Sequence, residues 1–179
     1  LDKITSLDSI KKISEKTFVP ITVGGGIRSV ESIKKILKNG ASKISINSYA
    51  LKNPSFINKI ANIFGSSVIS VSIDVGKIDN NYYVFAVNGR EFWEKNPVAW
   101  AKEVEERGAG EILLTSIDNE GSGKGYNIEL VKKITNAVKI RVIPNGGAGC
   151  IEHISELFKK TDVEAASLSS MLHYSLLYR

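Results

Sequence analysis

Along this chain, short runs of β-branched and apolar residues alternate with stretches whose apolar residues recur every three or four positions. The short runs predict strands at Pro20–Val23, Lys43–Ile46, Val68–Ile73, Glu111–Leu114, Arg141–Ile143 and Ala165–Ser167. The longer stretches predict helices. Val30, Ile33, Ile36 and Leu37 share one helical face, and so do Phe56, Ile57, Ile60 and Phe64. Trp100, Val104 and Arg107 repeat the spacing, as do Ile128, Val131 and Ile134. Gly40, Gly65 and Gly108 stand where helix C-caps are expected. Strands and helices in strict alternation predict a parallel sheet covered by helices and joined by right-handed crossovers. One segment breaks the rhythm. Between Lys77 and Gly89, Tyr82, Tyr83, Val84 and Phe85 follow Asp79-Asn80-Asn81, which predicts a small hairpin inserted after the third strand.

The pattern contains an internal repeat. Laying Val23–Leu37 over Asn145–Phe158 puts Gly25 on Gly146, Gly26 on Gly147, Glu31 on Glu152 and Ile33 on Ile154. The same offset carries Ser48 onto Ser169. A strand, a glycine loop, a helix and a second strand ending in serine thus occur twice, far apart. Such a duplication, with strands missing ahead of its first half, predicts an eight-unit α/β barrel trimmed at its start.

The glycines carry candidate chemistry. A glycine turn between a strand end and a helix start presents backbone N–H groups outward, and the helix N-terminus adds partial positive charge. That combination suits an anion, most often phosphate. In a barrel it lies on the face where the strands end and where active sites are built. Asn47 and Ser48, at the next strand end, supply further hydrogen-bonding groups. The repeat predicts a second cradle from Gly146 and Gly147 with Ser169 or Ser170. Two cradles on one face suggest a long substrate with a phosphate at each end. Between them Asp74 closes an apolar strand and is the candidate general acid or base. The alternative for a lone aspartate is a helix cap or an ion pair. The polar stretch Thr115–Gly121, with Ser116, Asp118, Glu120 and Gly121, is read as either a mobile substrate loop or a plain turn. Lys43 and Glu111 start two strands on the opposite face, where inward-pointing charges would have to pair.

Bulk composition narrows the classes. The 179 residues amount to one domain, a single unit over residues 1–179. Lys and Arg number 24 against 19 Asp and Glu, but the lysines are scattered along helix faces, so nucleic acid is not the expected partner. No apolar run reaches the roughly 20 residues of a membrane helix. The single Cys150 excludes an internal disulfide and fits a reducing cytoplasm. The chain opens on Leu1 with no visible signal peptide, which suggests a piece of a longer protein. The expected chemistry calls for no metal and no cofactor.

Five strings taken together, ITVGGGIRSVESI, GASKISINSYALKNPSFI, FGSSVISVSIDV, WAKEVEERGAGEILLTSIDNEGSGKGY and NGGAGCIEH, cover much of the chain. They resemble the cyclase subunit of imidazole glycerol phosphate synthase. The resemblance implies a (β/α)8 TIM barrel of which this chain covers about six units, without the first two strands and the last helix. It further implies a glutaminase partner at the barrel's bottom and ammonia passing up the barrel. At the top the ammonia would meet a ribulosyl-formimino imidazole precursor bearing two phosphates. By the same resemblance Asp74 is one catalytic carboxylate, and its partner lies on the first, absent strand, so the chain alone is expected to be inactive. Gly26, Asn47 and Ser48 match one phosphate site, Gly147 and Ser170 the other, and Lys43 with Glu111 the charged gate for ammonia.

Some positions depart from the resembled pattern. The family's acidic residue in an Asp-Gly-Thr loop is Glu120 here, and a small serine before the second glycine pair is Asn145. An acidic residue before the gate lysine is Ser42, and a Lys-Thr-Gly stretch near the hairpin is replaced by Arg90–Pro97. The Phe158–Val163 stretch is one residue longer. These departures point to a paralogous branch that conducts ammonia for acetamidino modification of bacterial surface sugars. The retained phosphate residues point to the cyclase.

Overall fold

The computed structural model describes residues 6–177. Helix α1 (Leu7–Ser14) precedes strand β1 (Thr22–Gly24), helix α2 (Val30–Lys38) and strand β2 (Lys43–Ile46). Helices α3 (Ser48–Lys52) and α4 (Ser55–Phe64) lead to the long strand β3 (Ile69–Ile78), then β4 (Asn81–Ala86) and β5 (Glu91–Trp93). Helix α5 (Pro97–Glu106), β6 (Glu111–Ser116), α6 (Ile128–Thr135), β7 (Arg141–Asn145), α7 (Ile151–Lys160) and α8 (Ser170–Leu177) complete the chain. Strands β1, β2, β3, β6 and β7 pair in parallel in that order, each crossover carrying at least one helix. This is an arc of a (β/α)8 barrel.

The two faces of the arc differ in chemistry. On the helix side, Ile44, Ile69, Val71, Ile73, Ile112 and Leu114 are buried against Ile33, Ile57, Trp100 and Ile134 of the covering helices. Because side chains alternate along a strand, the opposite, axial face carries Lys43, Ser45, Ser70, Ser72, Asp74, Glu111, Thr115 and Asn145. Hydrophobic burial toward the helices therefore holds the sheet, and the axial face is mostly polar, with Leu113 and Ile143 among its polar residues.

Local signals account for most element ends. Ser29 caps α2 by accepting from the Ser32 N–H at 3.2 Å, and Asn96 caps α5 with Pro97 in the first turn. Gly40, Gly65 and Gly108 all adopt positive φ at helix ends, as expected. The hairpin is present: β3 continues past Asp74 to Ile78, and Asp79 and Asn80 turn it at φ 47° and 64°. It is larger than expected, because β5 adds a third strand on Val84–Ala86.

Two expectations need correction. The predicted strand Pro20–Val23 begins only at Thr22. Ala165–Ser167 forms no strand; its backbone tie to the sheet is Ser167 N–H to the Pro144 carbonyl at 2.8 Å. Among the described residues no further strand flanks it, so the ladder that would extend it has no second side. Helix α1, to which the sequence reading assigns no element, packs Ile10 into the core beside α2.

Candidate functional site

Asp74 lies at the level where the parallel strands end, opposite Thr115 in the β3–β6 register. Its carboxylate accepts from Asn47 Nδ2 at 2.9 Å and from Ser72 Oγ at 3.3 Å. Burial pushes its pKa above the ordinary carboxylate value, and the hydrogen bonds of Asn47, Ser72 and Thr115 partly offset that rise. It is 8% exposed, enough to face a ligand without being washed by solvent. The carboxyl group therefore holds its proton to higher pH than a free aspartate does.

A cavity of about 910 Å³ opens beside it, lined by Gly25, Gly26, Asn47, Ser48 and Glu120, among others. Gly25 and Gly26 adopt φ of 103° and 67°, a conformation that side chains resist. A Cβ on Gly25 would meet nothing within 4 Å, so this loop is open to a ligand. Ile27, Arg28 and the cap residue Ser29 join the exposed loop to the start of α2. Asn47 spends one amide bond on Asp74, and the Ser48 hydroxyl accepts from the Val87 N–H at 2.9 Å.

The repeat holds at the level of local structure. Helix α7 begins where the offset from α2 places it, and Gly146 and Gly147 take φ of 96° and 101°. The two loops nevertheless differ in access. A Cβ on Gly147 would collide with the Gly125 carbonyl, and the Gly125 N–H donates to Gly147 O at 2.7 Å. Residues of the β6–α6 loop lie over the second glycine pair, which is buried. Ser169 is exposed just before α8 and Ser170 is its first residue. None of Gly146, Gly147, Ser169 or Ser170 lines the cavity beside Asp74.

The polar stretch after β6 is a hydrogen-bonded turn. Glu120 N–H bonds to the Ser116 carbonyl at 3.0 Å, and Ser116 Oγ bonds to Asn119 Oδ1 at 2.8 Å. Asp118 accepts from the Lys77 N–H at 2.9 Å, which ties the turn to β3, and Gly121 carries φ 68°. Of these residues, Glu120 faces the cavity.

At the other end of the strands Lys43 and Glu111 form an ion pair. They sit on β2 and β6, with β3 between them, so the pair spans the axial face. Glu111 is 5% exposed, which makes the pairing obligatory.

Sequence reasoning did not single out Lys52 or Arg28, which both line the cavity. Lys52 was findable: it falls four residues after Ser48 on α3, hence on the same helix face. Its ammonium pairs with Glu91 at 2.9 Å, joining α3 to β5. Val87 and Asn88, also on the cavity wall, adopt φ of 54° and 55°. Nothing local announces a β-branched residue in that conformation.

An open glycine loop, a buried carboxylate near the strand ends and an ion pair at the opposite end thus share one (β/α) barrel arc. The model of the family described as "Histidine biosynthesis protein" matches residues 2–177. The chain belongs to that family. It is 46% identical over 170 residues to the imidazole glycerol phosphate synthase subunit HisF of Alkaliphilus metalliredigens, covering 94% of this chain and 68% of that protein. The subunit HisF of Flavobacterium psychrophilum is 45% identical over 97% of this chain and 69% of its own length. That of Campylobacter concisus is 45% identical over 97% and 68% respectively. These similarities favour the cyclase over the sugar-modifying branch. Among the described residues no helix is long and apolar enough to cross a membrane.

Proposed function

We propose that this barrel is the cyclase subunit of an imidazole glycerol phosphate synthase in histidine biosynthesis. It uses ammonia to split a bis-phosphorylated ribulosyl-formimino imidazole precursor into imidazole glycerol phosphate and an aminoimidazole nucleotide, which carries away the second phosphate. The observation that carries the reading is Asp74, buried and held by Asn47, next to an open glycine cradle on one cavity. The cradle at Gly25 and Gly26, with Ser48, holds one phosphate by backbone N–H groups and the α2 terminus. That anchorage sets the reacting carbons over Asp74. Asp74, with its raised pKa, gives and takes protons as the amine adds and the ring closes.

The second phosphate is assigned to the loop of Gly146 and Gly147 with Ser169 and Ser170, on the strength of the repeat. Glu120 and the turn around it, from Ser116 through Asp118 to Gly121, border the space between the two cradles. Ammonia comes from a glutaminase partner docked at the Lys43–Glu111 end and passes along the axial face, where Ser45, Ser70 and Ser72 supply hydroxyls. The protein acts in the cytoplasm with small-molecule substrates.

The test is ammonia-dependent turnover of the bis-phosphorylated precursor by the full-length protein that carries this chain. Turnover that falls by roughly 10²–10⁴-fold in Asp74→Asn is expected. An Asp74→Asn enzyme of unchanged rate, or a folded wild type with no turnover, overturns the reading.

A further inference from the structure

Asn145 ends β7 directly across from Thr115 in the β6–β7 register. Its amide nitrogen has two hydrogens and two acceptors. Nδ2 lies 3.2 Å from Thr115 Oγ1 and 3.2 Å from Glu120 Oε2. Thr115 in turn faces Asp74 on the next strand. A row of polar groups therefore crosses three strand ends, from Asp74 through Thr115 and Asn145 to Glu120.

We infer that Asn145 is a positioning residue that sets the proton of Thr115 toward Asp74 and fixes Glu120 at the cavity edge. A threonine hydroxyl carries one proton and accepts through its oxygen lone pairs. With the Asn145 amide donating to that oxygen, the hydroxyl proton is left for the Asp74 carboxylate. The hydroxyl of Thr115 is among the groups that pull the Asp74 pKa down against burial. The other amide hydrogen holds the Glu120 carboxylate, whose approach depends on Gly146. A Cβ there would stand 3.1 Å from Glu120 Oε2 and 2.8 Å from the Ser116 carbonyl. A long amide and a long carboxylate here meet each other.

The inference rests on Asp74 being the proton-transfer group of the proposed function. Asn47 and Ser72 bond Asp74, Thr115 stands opposite it in the β3–β6 register, and the charged groups lining the same cavity are Arg28, Lys52 and Glu120. The experiment is carbon-13 NMR titration of the Asp74 carboxyl in the full-length protein, with Asp74→Asn to assign the resonance. Asn145→Ala is expected to shift the Asp74 titration upward. Asn145→Ser, whose single hydroxyl reaches at most one of the two partners, gives a smaller upward shift and covers the case of a poorly folded alanine variant. The shift persists in a Glu120→Gln background and disappears in a Thr115→Val background, where the relay has no middle member. An unmoved Asp74 titration in folded Asn145→Ala or Asn145→Ser overturns the inference. So does a shift of full size in Thr115→Val. The titration needs no turnover, so a protein inert toward the precursor can still show the relay, and an active one can lack it.

Discussion

Asn47 directly follows β2 and Asp74 lies in the neighbouring parallel strand β3, and the amide of the first donates to the carboxylate of the second across 2.9 Å. Their bond satisfies Asp74 Oδ2, while Ser72 Oγ donates to Oδ1. Replacing Asn47 with Leu removes that donor while keeping the volume. The expected loss is about 1–3 kcal/mol of stability, measured by urea denaturation near neutral pH, because a buried acceptor is left unsatisfied. A stability unchanged within error would mean that Asp74 is protonated or hydrated in the native state.

Asp74→Asn is expected to act in opposite directions on activity and stability. Burial raises the folded pKa of Asp74 above the unfolded one. The native state then binds the proton more tightly, and this group's contribution falls as pH rises from below the unfolded pKa through the folded one. Above that window the charged, buried carboxylate opposes folding. Asparagine removes the opposition, so Asp74→Asn unfolds at higher urea than wild type at neutral pH, with the gap closing in acid. Turnover falls by roughly 10²–10⁴-fold, the range for loss of a general acid–base group. Equal urea midpoints at every pH would contradict the burial argument.

Lys43→Met leaves Glu111 buried and unpaired. Removing one partner of a fully buried pair costs about 3–5 kcal/mol, and the 28% exposure of the Lys43 side chain brings the expected figure down to about 2 kcal/mol. The double variant Lys43→Met with Glu111→Leu recovers most of that loss in thermal melts. Additive losses in the double variant would show that the two side chains do not depend on each other.

The glycine loops give a paired test. Gly25→Ala meets open space and carries only the strain of a positive φ, about 1–2 kcal/mol. It should mainly weaken binding of inorganic phosphate or the bis-phosphorylated precursor, read by calorimetry. Gly147→Ala adds a collision with the Gly125 carbonyl, and about 3 kcal/mol or more is expected. Equal destabilisation by the two substitutions would contradict the difference in packing.

Much of this was legible before the structure. The glycine turns, the helix faces at Val30–Leu37 and Ile128–Ile134, and the placement of Asp74 all follow from local pattern, because positive φ and helical periodicity are properties of short segments. The pairing of Lys43 with Glu111 was legible as a condition, since buried charges must pair. What escaped depends on residues distant in sequence. Strand β5 exists because Glu91–Trp93 find Val84–Ala86, and three residues carry no periodic signal of their own. Ala165–Ser167 has the composition of a strand but only one bond to the sheet. The burial of the second glycine pair comes from Gly125, more than twenty residues upstream, and no motif encodes that contact.

That burial has a consequence for direction. Two cradles copied from one ancestral unit would treat a ligand with an anion at each end as reversible, since head and tail would fit either seat. Here one seat is bare and the other is roofed by the turn that carries Glu120. On the proposed reading, a bis-phosphorylated substrate would meet two unlike seats, so that its two ends would not be interchangeable over Asp74.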